Sequence, residues 1–110
     1  FEEFMVLPEA TAGSDPSWFG FPLTVKETAP FARKSLIEHL ESKQIATRHI
    51  FGGNLLRQPA FIDVDKRTVA DLSNTDQVMK GSFVVGVYPG ITQQSVDYML
   101  YTFADFFKRL

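Results

Sequence analysis

Ile45-Ala46-Thr47-Arg48-His49-Ile50-Phe51-Gly52-Gly53-Asn54-Leu55-Leu56-Arg57-Gln58-Pro59 is the stretch around which the chain is organised. It opens as a strand, because Ile45, Thr47 and Ile50 are β-branched and suit a pleated surface. Gly52 and Gly53 then free the backbone for a sharp change of direction. An amide (Asn54), a guanidinium (Arg57) and a second amide (Gln58) follow, and Pro59 biases Gln58 towards an extended conformation. A polar loop pinned at both ends beside a strand can hold such groups still for an anionic or hydroxyl-rich ligand. The same groups also read as an ordinary solvated connection.

On the N-terminal side, Thr28 to Lys43 predicts a helix. Thr28 or Ala29 is the cap, Pro30 suits the first turn, and Leu36, Ile37 and Leu40 form its apolar stripe, with Phe31 able to join it. His39 is expected on the solvated flank, with no chemistry assigned. Before it, Ser17 to Val25 predicts a strand. Phe19, Phe21, Leu23 and Val25 alternate onto a core face, and Trp18, Gly20, Pro22 and Thr24 onto the other. Pro22 removes one ladder donor and argues for an edge position or incomplete pairing. An indole beside a glycine and a proline leaves a notch next to a flat ring, suited to a pocket, a domain contact or packing under a loop. Met5 to Leu7 is a further short apolar run that can form a strand.

On the C-terminal side, Phe61 to Val69 is expected to be irregular, its charges a solvated face. Asn74 to Lys80 predicts a short helix capped by Ser73 or Asn74. Phe83 to Tyr88 predicts a strand buried on both faces, broken by Pro89-Gly90. Thr92 caps a last helix, Gln93 to Leu110, in which Val96, Met99, Leu100, Phe103, Phe106, Phe107 and Leu110 recur at helical spacing and read as core. The expected fold is α/β: a two-layer α+β sandwich with a small, mainly antiparallel sheet and helices on one face.

The chain has 110 residues, enough for one domain with a real core. A net charge of -2 leaves no basic excess for phosphates, so nucleic acid is not expected as a partner. With no cysteine, the segment supplies no disulfide, thiolate nucleophile or cluster ligand. Two histidines, His39 and His49, are too few for a self-sufficient zinc site, so no metal site is expected. No membrane-spanning run or signal peptide is visible, and a cytoplasmic setting fits. Eleven Phe, three Tyr and one Trp are a heavy aromatic load for this size, as at an interface. Phe1-Glu2-Glu3-Phe4 reads as the end of a preceding inter-domain helix. Residues 1–110 are therefore expected to form one small domain of a larger chain. Phosphate-loop, dinucleotide and nucleophile-elbow motifs are lacking.

Two runs carry a resemblance: Ser14-Asp15-Pro16-Ser17-Trp18-Phe19-Gly20-Phe21-Pro22, and Ala46-Thr47-Arg48 leading through Gly53-Asn54-Leu55 to Arg57-Gln58-Pro59. Tyr88-Pro89-Gly90 and the Phe-rich terminal helix accompany them. Over nearly its whole length the chain resembles the C-terminal small domain of the nucleotide-sugar aminotransferase family of fold-type-I pyridoxal-phosphate enzymes. Within that family it is most similar to the 3-dehydrases that act on CDP-4-keto-6-deoxyglucose in lipopolysaccharide biosynthesis.

The resemblance implies a parent enzyme that uses pyridoxamine phosphate and a 2Fe-2S cluster to remove the sugar 3-hydroxyl. It implies a homodimer served by a flavin iron-sulfur reductase. The histidine that replaces the cofactor lysine, and the cluster cysteines, would belong to the large domain. Neither His39 nor His49 lies in the matching motif, so this segment carries no expected catalytic residue, and alone it is expected to be inactive and to bind no cofactor. Trp18 and Phe19 would shape the wall near the cofactor ring or sugar; Arg48, Asn54 and Arg57 would grip hydroxyls or the diphosphate. Structural roles at the domain seam are the alternative for each. A sister aminotransferase, which keeps the lysine, and a stand-alone binding or dimerisation module are the competing identities.

Overall fold

The computed structural model describes residues 1–110. Four strands form one sheet: β1 (Met5–Val6), β2 (Gly20–Val25), β3 (Thr47–His49) and β4 (Ser82–Gly86). The helices are α1 (Arg33–Ser42), α2 (Ser73–Gly81) and α3 (Gln93–Phe107), and two single 3-10 turns cover Leu55–Arg57 and Pro59–Phe61. Strand order is β1-β2-β4-β3, antiparallel throughout, so the last strand in sequence is inserted between β2 and β3.

The register sorts the two faces. Leu23 stands opposite Phe83, and Phe21 opposite Val85, which in turn faces Thr47. These side chains meet Leu36 and Leu40 of α1 and Phe103 of α3 in a core completed by Met5, Val25 and Ile45. Phe1, Phe4 and Phe31 extend it sideways against Phe103, Phe106 and Phe107 in tilted and edge-on contacts. The two-layer α/β arrangement with a small antiparallel sheet is therefore present, with α1 and α3 on the inner face.

Element boundaries shift where tertiary contacts claim residues. Helix α1 starts at Arg33 rather than Thr28, because the Phe31 ring is drawn into the aromatic cluster and Ala29 closes a turn onto Lys26. The Arg33 guanidinium then ties the helix start to the α2–β4 junction, donating to the carbonyls of Met79 (2.8 Å) and Ser82 (2.9 Å). Helix α1 ends with Gln44 at φ 62°, a left-handed stop made without glycine. β2 begins only at Gly20, so Phe19 lies ahead of the strand and stands 89% exposed instead of in the core. β1 reaches only Thr24 and Val25, leaving that side of β2 open at Pro22, where the missing amide costs no ladder bond to β1.

His39 departs from the expected solvated flank. It is half-buried beside the Phe106 ring, with Nε2 3.2 Å from the Thr102 carbonyl and 3.7 Å from Asp105. The α3 stripe is only partly core, since Val96, Leu100 and Leu110 are exposed. The last helix also closes at Phe107, and β4 at Gly86, two residues before Tyr88.

Candidate functional site

The outer face of the sheet carries an open cleft of about 750 Å³. Its floor follows from register. Pro22, Val84 and Arg48 lie side by side across β2, β4 and β3, and Gly20 faces Gly86 in the next row. The glycine pair keeps the floor low. Trp18 and Phe19 rise at one rim just before β2, and Phe51 at the other just after β3. The Phe19 and Phe51 rings lie nearly parallel, 14° apart in plane and 6.5 Å between centroids. Both are almost fully exposed, and Trp18 is 40% exposed. Three large apolar rings left in water on one small patch mark a surface that is covered or occupied in use. Arg48 supplies the cleft's guanidinium; its Nη1 donates to the neighbouring Thr47 carbonyl at 2.7 Å.

Phe51 sits at φ 43°, in the left-handed region that a bulky side chain rarely adopts. What holds it there is the loop that follows. Gly53, at φ 61°, passes so close to α2 that an added Cβ would lie 2.6 Å from Met79 Cγ. The Gln58 amide donates back to the Gly52 carbonyl at 2.7 Å.

Asn54 and Arg57 do not face the cleft. The Asn54 side chain is buried: Nδ2 donates to Asp76 Oδ1 at 2.7 Å, and Oδ1 accepts from the Leu56 amide, capping the 3-10 turn. Arg57 forks onto the same carboxylate, with Nη2 2.7 Å from Oδ2 and Nε 3.1 Å from Oδ1. These donors, Arg57 first and Asn54 next, hold the Asp76 carboxyl down to about 2 and in turn raise the Arg57 guanidinium. The corner expected to turn outward towards a ligand is thus engaged internally with α2, while Trp18, Phe19 and Arg48 do line one open site.

Sequence reasoning missed Asp76 and Phe51. Asp76 reads only as a first-turn helix acid, favourable to the dipole, and nothing local pairs it with a loop nineteen residues away. Phe51 reads as the end of a strand; its handedness depends on the far side of the loop. No helix is long and apolar enough to cross a membrane, and no three potential metal-ligating side chains cluster.

An α/β domain of this topology occurs in solved vitamin-B6 enzymes. The Escherichia coli GDP-4-keto-6-deoxy-D-mannose-3-dehydratase with bound hydrated PLP superposes with a TM-score of 0.81 at 26% identity, over 91% of this chain and 25% of that one. Residues 1–103 match the DegT/DnrJ/EryC1/StrS aminotransferase family, and the chain belongs to it. It is 50% identical over 105 residues to the lipopolysaccharide biosynthesis protein RfbH of Salmonella typhimurium, covering 96% of this chain and 24% of that protein. It is also 50% identical over 102 residues to the dTDP-4-dehydro-2,6-dideoxy-D-glucose 3-dehydratase of Saccharopolyspora spinosa, covering 93% and 22%. The chain therefore spans about a quarter of the length of these relatives.

Proposed function

We propose that this chain is the C-terminal small domain of a nucleotide-sugar 3-dehydratase, and that the outer cleft is its share of the active site. The substrate is CDP-4-keto-6-deoxyglucose, which loses its 3-hydroxyl on the way to a 3,6-dideoxyhexose of lipopolysaccharide. The observation that carries this reading is the cleft: three exposed rings and one guanidinium gathered over a low glycine floor. Such a set suits a planar, hydroxylated, anionic ligand, with rings for apolar faces and a cation for phosphate oxygens.

Bound pyridoxamine phosphate supplies the electron-withdrawing ring that lets the sugar lose a proton and its hydroxyl. The cleft fits one wall of such a site rather than a complete cofactor pocket, since its single guanidinium and three rings can contact one side of a ligand. Within it, Trp18, Phe19 and Phe51 exclude water, and Arg48 orients the substrate by charge. The 2Fe-2S cluster does not fit this segment, which has no cysteine, so any cluster ligands come from elsewhere in the protein.

Surface area supports a covering partner. A compact monomer of this mass exposes about 6,100 Å², whereas this chain exposes 8173 Å² and buries only 13 residues. Its radius of gyration is 16.0 Å, against about 13 Å for a compact domain of its length. We assign the surplus to a large cofactor-binding domain of the same chain and to a second subunit of a homodimer. A flavin iron-sulfur reductase is the electron source in this reading, and the enzyme works in the cytoplasm.

The test is turnover by the full-length protein supplied with pyridoxamine phosphate and CDP-4-keto-6-deoxyglucose. Loss of the 3-hydroxyl, read by mass spectrometry and NMR, supports the proposal. A 4-amino sugar as product would make the enzyme an aminotransferase instead. Turnover of the dTDP or GDP sugar but not the CDP sugar would reassign the nucleotide.

A further inference from the structure

We infer that Asp76 is a positioning residue for the outer cleft: through Arg57 and Asn54 it fixes the 51–58 loop, and with it the Phe51 ring that walls the cleft. This rests on the reading above that the cleft takes a nucleotide sugar.

Three observations carry it. First, Asp76 receives three side-chain hydrogen bonds from the loop, two from Arg57 and one from Asn54, all between 2.7 and 3.1 Å. A bidentate guanidinium–carboxylate fork constrains direction as well as distance. Second, Phe51 holds a left-handed backbone, a conformation that persists only where the surroundings over-determine it. The determinants are visible: Gly53 against Met79, the Gln58-to-Gly52 bond, and the Asp76 clamp. Third, a hollow of about 260 Å³ lies between residues 49–53, Arg33 and the Val78–Met79 turn of α2. Apolar packing does not fill this hollow beside residues 49–53, so the loop is placed by the polar clamp together with the Gly53–Met79 contact.

With the clamp loosened, Phe51 relaxes to negative φ and its ring leaves Phe19. The cleft mouth widens while its floor, set by the sheet register, stays. Asp76 does not line the cleft, so its loss weakens substrate retention without removing a group that faces the substrate.

The experiment compares full-length wild type with Asp76→Asn and Asp76→Glu. Asn keeps the size and loses the charge; Glu keeps the charge and changes the reach. Leu40→Ala serves as a control that lowers Tm from the core. Asp76→Asn is expected to raise KM for the nucleotide sugar about tenfold or more with kcat within about twofold, and Asp76→Glu to fall between it and wild type. Hydrogen exchange should quicken in peptides covering 51–58 and not in β4. Unchanged KM in Asp76→Asn despite a faster-exchanging loop would overturn the inference. So would a KM rise matched by Leu40→Ala. If wild type turns over no nucleotide sugar, the functional reading fails by itself, and the loop exchange data still decide the clamp: unchanged exchange refutes it and localised exchange upholds it.

Discussion

Asp76 and Arg57, nineteen residues apart, meet in a two-bond fork, Nη2 to Oδ2 at 2.7 Å and Nε to Oδ1 at 3.1 Å, and Asn54 joins the same carboxylate at 2.7 Å. An arginine and an amide that suggest ligand recognition in the sequence are thus turned to holding a loop against a helix. The consequence is a division of labour across the 47–58 segment: its first part lines the cleft, and its second part anchors it.

The clamp makes stability depend on acid in a stated direction. The Asp76 carboxyl sits at about 2 in the folded chain, below its ordinary 3.8. Its contribution is therefore complete above the ordinary value and is lost as pH falls through the folded one. The difference in Tm between wild type and Asp76→Asn should be constant at neutral pH, shrink below about pH 4, be mostly gone by about pH 2 and vanish only below it. Thermal unfolding across that range checks it, and a gap at pH 2 as large as at neutral pH would contradict the assignment.

Asn54→Ala removes a buried amide and orphans the Leu56 N–H, which donates to Asn54 Oδ1 at 3.0 Å. The expected loss is about 1–3 kcal/mol. Denaturant melts of the full-length protein measure it, and an Asn54→Asp variant should not rescue, because it sets a second carboxylate against Asp76.

Gly53→Ala should destabilise for two reasons that can be separated. The left-handed backbone disfavours any Cβ by about 1–2 kcal/mol, and the new carbon meets Met79 Cγ at 2.6 Å. Adding Met79→Ala relieves only part of the second cost, because it removes Cγ and Sδ but leaves the Met79 Cβ at 2.9 Å. A double variant no more stable than the sum of the single changes would show that the close approach has been misjudged.

Phe83→Ala should cost about 3–5 kcal/mol, because the ring is fully buried where the sheet meets the helices. Trp18→Ala, at a half-open rim, should change stability far less. Equal losses in the two variants would mean that the outer face is as tightly packed as the inner one.

Arg48→Ala should leave Tm nearly unchanged, since the side chain is exposed and bonds only to its neighbour's carbonyl. In the full-length protein we expect about tenfold weaker binding of the nucleotide sugar, the usual scale for losing one charge-assisted contact. Calorimetric titration provides the measurement. Unaltered affinity would remove Arg48 from the proposed site.

Much of the architecture was legible because it depends on local chemistry. Alternation at Phe21, Leu23 and Val25 marks β2, the Phe83–Val85 run marks β4, and Thr92 marks the start of α3; each signal is carried by residues within a few positions of one another. The same locality explains the misplaced details. Nothing near Phe31 reveals that its ring joins Phe106 and Phe107 and delays α1, and nothing near His39 reveals the Thr102 carbonyl.

The amino-acid order by itself determined the class of fold, the elements and the motifs that tie the chain to its family, because periodicity, capping and turn chemistry act over short spans. Only the folded chain decided which polar groups remain free. Inserting β4 between β2 and β3 brought Pro22, Val84 and Arg48 into one row, and docking α2 against the loop gave Asn54 and Arg57 to Asp76. Hydrogen-bond partners far apart in sequence are chosen by proximity in space, and no local pattern records that choice.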